Sequence, residues 1–280
     1  MNTVVAGGHR LEYAWHGPGP KEAPTLVFLH EGLGSVSAWK DFPAQVAAEA
    51  RCGALVYSRW GYGGSDPGTL PRPITYMHDE ARVTLPDLVR VLGLRRSILV
   101  GHSDGASIAI LYAGGSDARG LDGLVLEAPH VFVEDVSVQS IARAAEAYRT
   151  TDLHTRLERH HGPNTEGAFR GWNDVWLHPD FRAWNIEAFL PAIQVPSLVL
   201  QGEDDAYGTV RQVDAIRTQS GGRVEVKILR QCGHAPHRDQ PDLTRESIVG
   251  FVENVRGKPA GGGGSPSGAA APTMGTMFSG

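Results

Sequence analysis

Residues 97–115 constrain the fold of this chain more than any other stretch of it. A short apolar run at 98–100 leads into Gly-His-Ser-Asp-Gly at 101–105, and apolar residues at helical spacing follow. The pattern Gly-x-Ser-x-Gly between a strand and a helix is typical of a nucleophilic serine on a sharp turn. The backbone there is so crowded that the residues two positions away must lack a Cβ, which only glycine does. Ser103 is therefore a candidate nucleophile at a helix N-terminus, where free N–H groups favour a developing negative charge.

Predicted strands alternate with predicted helices on both sides of this turn. The strands lie at residues 25–29, 54–57, 98–100, 123–127, 197–201 and 224–229. The alternation favours an α/β fold with a mostly parallel, doubly wound sheet, whose ligand site lies beyond the carboxyl ends of the strands. Residues 4–16, broken at Gly7-Gly8, predict an opening hairpin. Pro86 within the predicted helix 77–91 predicts a kink or break near Thr84.

One long stretch, residues 129–191, departs from this alternation. It contains predicted helices at 138–149 and 152–160, followed by a part rich in tryptophan and phenylalanine. We therefore expect residues 1–128 and 192–256 to form the core, with 129–191 as a helical insertion. Residues 257–280 are dominated by glycine, serine, alanine and proline, a composition that predicts a disordered tail.

Composition argues against several classes of partner. Of the 280 residues, 41% are hydrophobic, and the net charge of −5 comes without a basic stripe, which argues against binding of nucleic acid. No apolar run approaches the roughly 18 residues of a membrane span, and the N-terminus lacks the pattern of a secretory signal. With two cysteines, the reducing cytoplasm is the expected location. The sequence carries no signal for the oligomeric state.

The histidines at 154, 160 and 161 are the only cluster that suggests a metal site. No carboxylate or cysteine stands at a matching ligand spacing, so a solvated helix face is the better interpretation. We expect neither a metal nor a cofactor.

A serine nucleophile needs a base to take its proton and an acid to orient that base. In this class of fold the chain order is serine, then aspartate or glutamate, then histidine. Gly-Glu-Asp-Asp at 202–205 follows a predicted strand and supplies carboxylates where the acid belongs. Gln-Cys-Gly-His at 231–234 follows the last predicted strand and supplies the histidine.

These motifs resemble the α/β-hydrolase superfamily, and the resemblance covers nearly all of residues 1–256. Residues 101–105 match its nucleophile elbow, and Leu-His-Glu-Gly-Leu-Gly at 29–34 is similar to its His-Gly oxyanion loop. Residues 202–205 are similar to its Gly-x-x-Asp acid turn, and residues 58–65 resemble its Arg-Gly-x-Gly-x-Ser loop. Glu31 departs from the family, since most members carry glycine after the histidine.

The resemblance implies a role for each candidate residue. Ser103 attacks, His234 exchanges the proton, and Asp205 orients His234, with Asp204 as the rival acid. The backbone N–H groups of Gly32 and Asp104 form the oxyanion hole. Residues 129–191 are implied to be a helical cap over the active site. The expected pocket residues are Glu31, Trp172, Trp176 and Trp184.

The function implied is a serine hydrolase that cleaves a small, largely apolar ester, thioester or lactone through an acyl-enzyme. Serine at position 103 argues against the dehalogenase and epoxide-hydrolase branches, which need aspartate there. Fold does not fix function, so two alternatives stay open. One is a carbon–carbon bond hydrolase or cofactor-free oxidative enzyme on the same scaffold, and the other is a non-catalytic ligand receptor.

Overall fold

The computed structural model describes residues 1–115 and 118–257. The predicted tail lies outside the described residues, except for Gly257, which ends the last helix. Among the described residues, no helix combines the length and the apolar character needed to cross a membrane.

Eight strands form one sheet with the order β1-β2-β4-β3-β5-β6-β7-β8. They are β1 (Asn2–Ala6), β2 (His9–His16), β3 (Thr25–Leu29), β4 (Gly53–Tyr57), β5 (Ser97–His102), β6 (Leu121–Glu127), β7 (Ser197–Gly202) and β8 (Val224–Leu229). The first two pair antiparallel as the expected hairpin, β2 pairs antiparallel with β4, and all other pairs are parallel. The predicted mostly parallel sheet is therefore confirmed.

Ten α-helices accompany the sheet within the described residues. They are α1 (Phe42–Ala50), α2 (Tyr76–Asp79), α3 (Leu85–Val91), α4 (Asp104–Ala113), α5 (Asp135–Thr150), α6 (Leu153–His161), α7 (Thr165–Trp176), α8 (Val210–Gln219), α9 (Pro236–Asp239) and α10 (Pro241–Gly257). Short 3₁₀ segments lie at Ser37–Trp39, Gly162–Asn164, Pro179–Ala183 and Glu187–Ala192.

The predicted helix 77–91 is one helical run interrupted as Pro86 requires. Helices α2 and α3 are joined by a π-helical turn at Glu80–Thr84. Proline has no N–H to donate four residues back, and its ring crowds that carbonyl, so the hydrogen-bond ladder must widen before it. The break therefore falls at Thr84, as predicted, without ending the helix.

The central strands are buried on both faces, which explains their unbroken apolar sequences. All five residues of β3 and of β4 are buried, and so are all six of β5. Because β3 to β8 run parallel, the loops that follow them meet at one edge of the sheet. Helices α5, α6 and α7 follow β6 and pack on one another. Asn164, between α6 and α7, joins them to the body by donating to the carbonyls of Gly63 and Ser65, at 3.0 and 2.8 Å.

Candidate active site

Ser103 occupies a strained turn between β5 and α4. Its backbone has φ 53° and ψ −115°, in a region that residues other than glycine rarely adopt. A Cβ on Gly101 would lie 2.4 Å from the carbonyl oxygen of Gly105, and one on Gly105 would lie 2.0 Å from that of Leu29. Both flanking glycines are therefore required by the close approach of backbone, as the sequence pattern indicates.

A chain of hydrogen bonds joins Ser103, His234 and Asp205. The Oγ of Ser103 lies 2.9 Å from Nε2 of His234, and Nδ1 of His234 lies 2.9 Å from both carboxylate oxygens of Asp205. With Nδ1 donating to the carboxylate, Nε2 is left to accept the Ser103 proton. The three residues follow β5, β8 and β7, so the parallel sheet brings their loops together.

Asp205 is held as an anion. Tyr207 donates its backbone N–H and Gln201 its side-chain amide to this carboxylate, each at 2.7 Å. Burial opposes ionisation, but the hydrogen bond and charge of His234 outweigh it and lower the pKa of Asp205 to about 2. The neighbouring Asp204 is exposed, and its backbone N–H donates to the carbonyl of Cys232 at 2.9 Å. The structure thus brings Asp205, and not Asp204, to His234.

Of the two residues whose N–H groups are expected to form an oxyanion hole, Asp104 follows Ser103 in the chain and Gly32 lines the same cavity as Ser103. Gly32 lines the cavity above Ser103, and within the described part of the chain no acceptor meets its N–H. Asp104 begins α4, where the N–H groups of the first turn have no partner within the helix. The indole of Trp172 lies 2.1 Å from where a Cβ on Gly32 would stand. Glycine at position 32 therefore lets α7 pack directly on this loop.

The side chain of Asp104 joins the elbow to its surroundings. It is fully buried, accepts a hydrogen bond from the Tyr76 hydroxyl, and accepts another from Nε1 of Trp176 at 3.2 Å. Nη2 of Arg59 lies 3.8 Å away. Burial raises the pKa of Asp104 above its ordinary value, although Arg59 acts in the opposite direction. Through Trp176, this carboxylate ties the residue after the nucleophile to α7.

Glu31, the departure from the family pattern, pairs with the histidine of the elbow. Its Oε2 lies 3.6 Å from Nδ1 of His102, whose Nε2 donates to the carbonyl oxygen of His234 at 2.7 Å. A Cβ on Gly34 would lie 2.2 Å from the Glu31 carboxylate, so glycine at 34 makes room for it. The pair thereby links the oxyanion loop, the elbow and the loop that carries His234.

Both members of this pair have shifted pKa values. Burial opposes ionisation of Glu31, but the charge of His102 outweighs it, and the pKa of Glu31 lies well below its ordinary value. Burial likewise opposes protonation of His102, but Glu31 outweighs it and raises the pKa of His102. Each member of the pair therefore favours the charged form of the other.

A second pair of a carboxylate and a histidine lies behind the loop that carries His234. Glu127, buried at the end of β6, meets Nδ1 of His237 in α9 at 2.8 Å. The backbone N–H of His237 also donates to this carboxylate, at 3.2 Å. Glu127 therefore braces the turn that follows His234.

A cavity of about 430 Å³ opens above Ser103. Of the four pocket residues expected from the sequence, Glu31, Trp172 and Trp176 line it. Trp184 is not among the lining residues, and that prediction is wrong. Its ring packs against Trp176 and Phe181, at 6.0 and 5.4 Å between centroids, and so supports the wall from behind.

Sequence reasoning missed His130 and Tyr207, whose rings lie 5.6 and 4.7 Å from that of His234. Both line the cavity. Burial and the nearby His234 lower the pKa of His130 to about 3, so it is neutral. The available signal was the position of each residue, just beyond the carboxyl end of β6 or β7.

No group of three or more histidine, cysteine, aspartate or glutamate residues within 1–115 and 118–257 is arranged to hold a metal ion. Of the three histidines at 154, 160 and 161, two form hydrogen bonds with the body. His160 meets the hydroxyl of Ser37 at 2.8 Å. His161 donates to the carbonyl of Leu33 at 2.9 Å and accepts from the N–H of Gly63 at 3.1 Å.

The Glu31–His102 pair predicts a pH-dependent stability. A raised pKa for His102 contributes stability below its unfolded value of 6.5, and a lowered pKa for Glu31 contributes above its unfolded value of 4.5. Glu31→Gln should therefore lower the free energy of unfolding by about 1 kcal/mol. The loss should be largest between these two pH values and should shrink as the pH rises through the folded pKa of His102.

Urea unfolding at several pH values measures this difference. Glu246→Gln, on an exposed glutamate of α10 that has no ion-pair partner among residues 1–115 and 118–257, is the matched control and should show no such window. A loss for Glu31→Gln that is the same at acidic and alkaline pH would contradict the ionised pair.

Comparison with known proteins identifies the family of this chain. The model of the alpha/beta hydrolase family matches residues 26–246. Carboxylesterase YbfK of Bacillus subtilis is 24% identical over 252 residues, which cover 84% of this chain and 82% of that protein. The 2-succinyl-6-hydroxy-2,4-cyclohexadiene-1-carboxylate synthase of Salmonella agona is 26% identical over 265 residues, covering 85% and 97%. The solved structure of VinJ superposes with a TM-score of 0.69 at 25% identity, covering 91% of this chain and 98% of that one. The resemblance stated from the motifs is confirmed, and this chain is a hydrolase of the alpha/beta hydrolase family.

Proposed function

We propose that the protein cleaves small, largely apolar carboxylic esters, thioesters or lactones through an acyl-enzyme on Ser103. The observation that carries this proposal is the unbroken contact from the Ser103 hydroxyl through both nitrogens of His234 to Asp205. Similarity to a carboxylesterase over most of both chains supports the ester class. No cofactor enters the proposed chemistry.

In the first half of the reaction, Oγ of Ser103 attacks the substrate carbonyl carbon while its proton passes to Nε2 of His234. The carbonyl π electrons move to oxygen, and the resulting oxyanion accepts hydrogen bonds from the N–H groups of Gly32 and Asp104. Asp205 stabilises the imidazolium that forms. Collapse of the intermediate expels the leaving group, which takes the proton from His234.

In the second half, water attacks the acyl-enzyme as His234 takes its proton. The new tetrahedral intermediate breaks the bond between the acyl carbon and Oγ, and His234 returns the proton to Ser103. The carboxylic acid leaves, and the starting enzyme is restored. Neutral His130 stands beside His234 without competing for this proton, since its pKa of about 3 keeps it unprotonated.

The lining of the cavity supports a small, apolar acyl group. Apolar side chains from the oxyanion loop and from the segment that follows β6 line much of it: Leu33, Ile141, Leu153, Leu157, Trp172 and Trp176. We propose that residues 129–191 act as the cap, since α5, α6 and α7 supply most of this apolar lining.

A panel of nitrophenyl esters, lactones and β-diketones tests the proposal. We expect turnover of short-chain esters or lactones, and loss of that turnover after treatment with a fluorophosphonate that labels Ser103. Cleavage of β-diketones alone would favour a carbon–carbon bond hydrolase. Tight binding of the same compounds without any turnover would favour a receptor.

A further inference from the structure

We propose that the preferred substrate has an anionic leaving group, one that carries phosphate or carboxylate, and that Lys40, Arg156 and Arg238 attract it. This inference rests on the proposed acyl transfer to Ser103. It concerns the outer end of the same cavity, where these three exposed side chains are part of the lining.

The three cations are poorly neutralised by the protein itself. Within the described residues, neither Lys40 nor Arg238 has a carboxylate within ion-pair distance. Arg156 meets Asp152 at 3.2 Å, but both side chains are more than half exposed, at 58% and 73%, so solvent screens the pair. The chain as a whole carries a net charge of −5, so this is a local concentration of positive charge.

Contacts between three separate elements bring the cations together. The rings of Trp39 and His237 lie 4.4 Å apart, so the two segments that carry Lys40 and Arg238 pack on each other, and both residues line the cavity. His160 of α6 reaches the hydroxyl of Ser37, in the same 3₁₀ segment as Trp39, at 2.8 Å. Arg156 precedes His160 by one helical turn and therefore lies on the same face of α6.

The negative charge inside the cavity does not cancel the positive charge of Lys40, Arg156 and Arg238. Glu31 is the one carboxylate among the described lining residues, and it faces the His102 imidazole. The buried side chains Ile141 and Leu157 offer no partner for a charge, so an apolar acyl group fits the inner part.

The position of these three cations indicates that the leaving group, rather than the acyl group, is the charged part of the substrate. His234 is the group that protonates the departing atom. Arg238, which lies in α9, comes four residues later in the chain. In this proposal, a leaving group that extends from His234 toward solvent has Arg238 and Lys40, exposed residues of the same cavity lining, as its neighbours. Local concentrations of one sign of charge raise association rates of oppositely charged ligands by 10 to 10³.

Two matched pairs of substrates separate charge from chemistry. Butyryl-coenzyme A and butyryl-N-acetylcysteamine share a thioester, but only the first carries phosphates. 3-Butyryloxybenzoate and its methyl ester share an aryl ester, but only the first carries a carboxylate. We expect kcat/KM to favour the anionic member at low ionic strength, and the preference to fall as salt is added.

The double variant Lys40→Gln/Arg238→Gln should lower the ratio of anionic to neutral kcat/KM by about tenfold or more. Lys40→Arg/Arg238→Lys keeps both charges and should retain the ratio. Lys21→Gln/Arg95→Gln removes two exposed charges near the starts of β3 and β5, at the opposite edge of the sheet, and is the matched control.

Preference for the anionic member in the thioester pair alone would support the proposal and identify the leaving group as a phosphate-bearing thiol. Preference for the anionic member in both pairs would also support it and show that either phosphate or carboxylate is accepted. Equal kcat/KM values within both pairs, or a ratio that the double variant leaves unchanged, would overturn the inference. Hydrolysis of the neutral esters would then still support the proposed function. No turnover of any member, with Ser103 unlabelled by the fluorophosphonate, would overturn both.

Discussion

Ser103→Ala should lower the turnover number on the best ester by a factor on the order of 10⁶, the cost of removing a nucleophile that acts as a unit with its base. The variant keeps the elbow glycines and the hydrogen bonds of His234 to Asp205, so it should fold normally. Steady-state kinetics gives the loss in turnover. Labelling with a fluorophosphonate followed by mass spectrometry gives the modified residue.

Ser220→Ala is the matched control for this substitution. Ser220 follows α8, outside the residues that line the cavity, and its loss should change neither turnover nor labelling. Labelling that persists in Ser103→Ala, or that appears on another serine of the wild-type protein, would show that Ser103 is not the nucleophile.

Asp205→Asn should lower turnover by roughly 10⁴ with little loss of folding. An asparagine cannot act as the anionic partner that holds the proton on Nδ1 of His234, and it does not stabilise the imidazolium that forms during attack. Gln201 donates to Oδ2 and Tyr207 to Oδ1, so the asparagine oxygen keeps one of these two hydrogen bonds and holds the side chain in place. Kinetics on a neutral ester, with thermal melting as the measure of folding, makes the comparison.

Asp204→Asn, one residue away, is the closest control that the chain offers. Its side chain is exposed, so turnover should change by less than about tenfold, or 1.4 kcal/mol. If the two variants exchange these results, the orienting acid is Asp204. If neither variant is impaired, another carboxylate orients His234, and Glu127 behind the same loop is the first to test.

Much of the fold could be predicted because its signals are local. The unbroken apolar runs correspond to strands buried on both faces, and the glycines around Ser103 correspond to positions where a Cβ would meet backbone within 2.4 Å. Pro86 predicted the break at Thr84 because a missing N–H acts within one turn of its own helix. Such constraints operate over a few residues, so the sequence displays them directly.

The choice of acid has a different status. The motif resemblance placed it at Asp205, while the residues alone left Asp204 as a rival. The pattern around 202–205 says that a carboxylate follows β7, but not which side chain turns toward His234. That direction depends on how the loop after β7 packs on the loop after β8, where Asp204 donates its backbone N–H to Cys232.

The sequence by itself determined the α/β architecture, the strained turn at Ser103 and the order in which serine, acid and histidine occur. Only the tertiary structure decided the partners of the residues around them. Glu31 meets His102 across 70 intervening positions in the chain, and Trp184 is absent from the lining of the cavity that Trp172 and Trp176 line. These contacts depend on how distant segments pack, and helical or strand periodicity reports only which face of an element is buried, not which side chain it will meet there.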